Sequence, residues 1–96
     1  MSPSSSQAIH LIFPQDGEGW NALSKRMREA DGELLLVLSG REEELIQSPE
    51  VRKSFLAECK KIQQRLRIAT KHPVVAAEAR ASGIRVLDRT KFLRVL

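Results

Sequence analysis

The sequence predicts an α/β protein, a small and mostly parallel four-stranded sheet joined by helical crossovers and followed by a short C-terminal helix. Three observations carry this. Strand-like and helix-like runs alternate along the chain with short connections, the arrangement that parallel βαβ units require. The segment Glu33 to Ser39 (ELLLVLS) holds five consecutive apolar residues, the mark of a strand covered on both faces. Proline stands at two expected helix starts, Pro49 and Pro73, and glycine at an expected helix end, Gly83.

The first strand is expected at Ala8 to Phe13 (AIHLIF), a short β-branched and aromatic run closed by Pro14 and turn-forming residues. From Gly17 to Ala30, Trp20, Leu23, Met27 and Ala30 recur at helical spacing, and Asp31-Gly32 provides a stop. The second strand is the apolar ELLLVLS, placed at the centre of the sheet. Gly40 and the acidic Glu42-Glu43-Glu44 read as a solvated loop, because three adjacent acids point in different directions. Ser48-Pro49 then caps a helix running to about Gln64, with Val51, Phe55, Cys59 and Ile62 on its inner stripe.

Arg65 to Thr70 (RLRIAT) alternates, so that Leu66, Ile68 and Thr70 share one sheet face and Arg65, Arg67 and Ala69 the other. Pro73 opens an alanine-rich helix that Gly83 ends, Ile84 to Leu87 is the fourth strand, and Asp88 to Leu96 a short terminal helix capped by Asp88 or Thr90. Taken in the strand order 2-1-3-4, right-handed crossovers put the first helix on one face and the next two on the other. The first face is then under-covered at strands three and four, unless the terminal helix lays Phe92, Leu93 or Leu96 across it.

A chain of 96 residues supports one core, so residues 8–96 are read as a single Rossmann-like domain after a disordered tail at 1–7. That tail lacks the basic start and apolar centre of a signal peptide. No apolar run approaches the roughly 18 residues of a membrane span, so no membrane insertion by this chain is expected. One cysteine, Cys59, gives no disulfide framework and, with two histidines, no structural zinc cluster; it fits a reducing, cytoplasmic setting. Net charge is +4, divided as −4 over residues 1–48 and +8 over residues 49–96. A basic half of this kind suits an anionic partner.

Several pieces together resemble a family of small Rossmann-like βα domains, found singly or in tandem in poorly characterised bacterial proteins and often ahead of membrane-spanning segments. The pieces are the buried strand ELLLVLS, the helix start Leu45-Ile46-Gln47-Ser48-Pro49, the strand and turn RLRIATKHP and the close EARASGIRVL. The resemblance extends from Ile9 to Val86. His72 stands where the family usually caps a helix with aspartate, and Arg85 where it often has proline. The resemblance implies a fold, with no catalytic residues and no established ligand. A weaker similarity is to anti-sigma-factor antagonist domains, whose phosphorylatable serine turn is missing here.

No reaction is expected from the remaining residues. Asp16-Gly17-Glu18-Gly19 sits where a dinucleotide-binding loop would, but its acids repel phosphate and the third glycine is absent. Cys59 reads as a buried structural thiol, His10 as a packed or hydrogen-bonded residue and His72 as an exposed or capping one. No metal, cofactor or catalytic set is expected. The candidate partner-binding residues are Arg65, Arg67, Arg85, Arg89, Lys91 and Arg94. The leading expectation is a non-enzymatic module that uses its sheet face or edge to contact another protein or a second copy of itself. The alternative is a nucleic-acid-associated protein touching phosphates non-specifically through the basic half, since aromatics for base stacking are few.

Overall fold

The computed structural model describes residues 9–38 and 40–88. The tail expected at 1–7 lies outside them. So does the expected terminal helix, apart from Asp88, which ends the last strand. Four strands, β1 (Ile9–Ile12), β2 (Glu33–Val37), β3 (Leu66–Thr70) and β4 (Arg85–Asp88), alternate with helices α1 (Trp20–Glu29), α2 (Glu42–Gln47), α3 (Pro49–Lys60) and α4 (Pro73–Ala81). All pairings are parallel, giving the expected α/β fold.

The strand order is β1-β2-β3-β4, not 2-1-3-4. Each crossover advances one strand in the same direction, and right-handed connections then return every helix to the same side of the sheet. The four helices form one layer and the sheet the other. Strand β1 tolerates the edge because it is short and places His10 among its four residues, three of which are exposed. The apolar β2 takes an interior position, as its composition requires.

The core lies between the layers. Leu34, Leu36, Leu66 and Ile68, alternate residues of the two inner strands, meet Leu23 and Met27 of α1, Leu45 of α2, Phe55 and Cys59 of α3 and Val75 and Ala79 of α4. Trp20 packs on Phe55 with ring centroids 4.8 Å apart. Val51, expected on the inner stripe of α3, is exposed at its first turn, and Leu56 is buried instead.

Local chemistry sets the helix ends. The Ser48 hydroxyl accepts from the Val51 amide at 3.3 Å, and Pro49 occupies the first turn where no amide is needed. Pro49 also bars the helical conformation at Ser48, which separates α2 from α3. At the end of α4, Gly83 adopts φ +86°, while its amide donates to Arg80 and that of Ile84 to Ala79. This is a Schellman closure with buried Ile84 as its apolar plug.

The acidic run is not a solvated loop. It forms the first turn of α2, where carboxylates meet the positive end of the helix dipole, and Leu45 anchors the helix in the core. Glu42 is turned inward and accepts a hydrogen bond from the Thr70 hydroxyl at 2.9 Å, joining α2 to the end of β3.

Candidate interaction face

Alternation sends every second strand residue to the side away from the helices. In register across that face stand Leu11, Leu35, Arg67 and Arg85, and one step further along the strands Val37, Ala69 and Leu87. Ile9 lies opposite Glu33 behind them, and Phe13 continues the alternation of β1 beyond its last paired residue. Leu35, Val37 and Ala69, at the middle, are buried. Ile9, Leu11 and Phe13 along β1 are 48%, 52% and 50% exposed, and Leu87 37%. Among the described residues no helix packs on this side. The face is thus apolar toward β1 and the carboxyl ends of the strands, and basic toward β4.

Of the six candidate partner-binding residues, Arg65, Arg67 and Arg85 are described, and these three do not form one patch. Arg65 reaches across the start of the sheet to the carboxyl end of α1, where it donates to the carbonyls of Ala30 at 2.7 Å, Gly32 at 3.0 Å, Arg28 at 3.2 Å and Met27 at 3.4 Å. Its charge opposes the negative end of the helix dipole, and its donors are taken by backbone. Arg67 pairs with Glu33 across β2 at 3.4 Å, both side chains about a third exposed. Arg85 lies directly opposite Arg67 in the ladder, a juxtaposition of like charges, and has no ion pair among the described residues. Arg89, Lys91 and Arg94 lie outside those residues.

The carboxyl ends of the strands, where open α/β sheets usually bind ligands, are filled by the protein's own side chains. Glu18 accepts two hydrogen bonds from Arg26, at 2.8 and 3.0 Å, and a third from the Gln15 amide at 3.0 Å. Arg26 holds the Glu18 carboxyl below the usual range, against the opposing effect of burial. A carboxylate therefore occupies the loop that a dinucleotide fold would give to phosphate. Arg41 grips Glu44 through two hydrogen bonds of 2.8 Å and lies over the Trp20 ring, 4.7 Å from its centre. The Arg41 guanidinium likewise lowers the pKa of Glu44.

The Thr70 hydroxyl and Glu42 carboxylate have the partners of a nucleophile and base, but they are only 2% and 7% exposed. Thr70 also accepts from the His72 amide at 3.2 Å, while the His72 ring Nδ1 accepts from Val74 at 3.3 Å and caps α4. These bonds fix the β3–α4 turn. His10, expected to be packed or hydrogen-bonded, is exposed on β1. Burial pushes the Cys59 thiol up to about 12, so it carries no thiolate at neutral pH. Among the described residues no three His, Cys, Asp or Glu side chains gather to hold a metal ion. No described helix is long and apolar enough to cross a membrane. A shallow surface groove of about 340 Å³ lies between α1 and α3 beside Trp20, Val51 and Phe55.

No family model, curated protein or solved structure matches this chain. The residues that make this face distinctive, Ile9, Leu11, Phe13 and Leu87, are absent from the set expected from sequence. The signal for three of them is present in AIHLIF, whose apolar residues at two-residue spacing predict an apolar stripe. It carries weight only once β1 is known to be an edge strand with every described helix behind it.

Proposed function

We propose that this chain is a protein-interaction or self-association module without catalysis, whose contact surface is the face of the sheet turned away from the described helices. The observation that carries the reading is the placement of every described helix on one side of an all-parallel sheet. Such sheets are normally covered on both faces. Here the second face presents Ile9, Leu11, Phe13 and Leu87 to solvent. Contiguous apolar side chains on a sheet are stabilised by a covering layer, and another protein or another copy supplies one. Kinship with the small Rossmann-like βα domains rests on the motifs given above and adds no activity.

A photoreactive residue placed at Phe13, half exposed on this face, with a matched variant at Lys25 on the exposed side of α1, tests the reading. Illumination of the full chain, purified at high concentration and in cell extract, is expected to give protein adducts from position 13 and few from position 25. Equal adduct yields from the two positions, or none from position 13, overturn it.

The net charge of +8 over residues 49–96 supports a second reading, contact with nucleic-acid phosphates. It is the weaker one because Arg65 and Arg67 are already engaged within the protein. Failure to bind heparin or DNA at low salt removes it.

A further inference from the structure

The two edges of the sheet differ in their chemistry. Natural edge strands are kept from pairing by inward-pointing charges, proline or bulges. Strand β4 carries Arg85 and ends at Asp88. Strand β1, Ile-His-Leu-Ile, has no fixed charge, no proline and no glycine, and its Ile9 and Leu11 are about half exposed while Ile12 is buried. Among the described residues nothing pairs with its outer edge, since β2 takes the inner one.

We propose that β1 pairs antiparallel with β1 of a second copy of this chain, about a two-fold axis at Leu11. The proposal rests on the reading of this domain as an interaction module and names its partner. Its basis is self-complementarity. In that register Leu11 faces Leu11 of the other copy, and Ile9 faces Phe13, an aromatic and β-branched pair of the kind that stabilises antiparallel ladders. His10 meets Ile12 on the helical side. A strand that matches itself when reversed gives a closed two-fold contact, which limits assembly to a dimer at this edge. Pro14 ends the ladder just beyond Phe13. With few residues contributed per copy, the contact falls short of the roughly 1,200 Å² of standard stable interfaces, so the dimer is weak and concentration-dependent.

Cross-linking of the full chain decides it. Residues facing each other across such a ladder lie about 4.5–5.5 Å apart between Cα atoms, within disulfide range. Mild oxidation of Leu11→Cys is expected to give a covalent dimer at least tenfold faster than oxidation of Leu87→Cys on the opposite edge. The unsubstituted protein supplies the blank, because Cys59 is buried. Leu11→Lys, checked for an unchanged thermal melt, is expected to sediment as a monomer at concentrations where the parent chain dimerises. Cross-linking of Leu11→Cys no faster than Leu87→Cys overturns the pairing. If the parent chain still self-associates in that case, the module reading stands with a different contact. A parent chain that stays monomeric at every concentration also overturns the pairing, and the photo-adducts at position 13 then decide the module reading separately.

Discussion

The two faces of the sheet are made from the same strands, yet they have opposite characters. On one, Leu34, Leu36, Leu66 and Ile68 are sealed under four helices. On the other, the alternate strand residues run from exposed Ile9, Leu11 and Phe13 through buried Leu35, Val37 and Ala69 to Arg67 and Arg85. On the reading proposed above, stability falls to one face and recognition to the other. The difference teaches that an apolar strand residue does not by itself belong to the core: the direction of the crossovers decides which apolar residues meet helices.

Substitutions on the two faces should separate these roles. Leu36→Ala, which opens a cavity under the helices, is expected to cost about 3 kcal/mol in chemical denaturation. A loss below about 1 kcal/mol would mean that the helical layer is loosely packed. Arg65→Ala removes the donors that close the end of α1, with an expected cost of about 2 kcal/mol and little change in heparin retention. The reverse pattern would return Arg65 to the partner surface. Leu11→Lys, at a half-exposed site, should cost less than about 1 kcal/mol while abolishing self-association.

The smallest effect concerns acid. Because Arg26 lowers the pKa of folded Glu18 below its ordinary value of 4.5, the pair stabilises the fold above that pH. This contribution is lost as pH falls through the depressed value. Denaturation curves for Glu18→Gln and the parent should therefore differ at pH 7 and draw together as pH falls below 4.5. A gap unchanged by acid would assign the loss to the shape of the loop rather than to its charge.

Much of the fold is legible where the signal is local. The run ELLLVLS specifies an interior strand, Ser48-Pro49 a helix start, and Ser82-Gly83-Ile84 a helix end, because each depends on side chains within a few residues. Strand order is not local. It depends on the side to which each crossover advances, and the clues are indirect: the brevity of β1 and the polar His10 within it. The helix α2 was hidden by its acids, which look like a loop until Leu45 is seen anchoring them. The role of Arg65 is carried by carbonyls more than thirty residues earlier in the chain, and no spacing rule reaches that far. The candidate site suffered from the same limit, because charge is conspicuous in a sequence and an uncovered apolar row is not.

The strictly consecutive order of the strands also bears on how the molecule is made. Each strand pairs with the one synthesised before it, so no segment has to wait for a distant part of the chain before finding its place in the sheet. Nearest-neighbour topology of this sort shortens the loops that must close and favours fast folding. The sheet can grow from β1 toward β4 as the chain leaves the ribosome, one strand and helix at a time, with β1 the first of its strands to form and the longest to wait with an open edge.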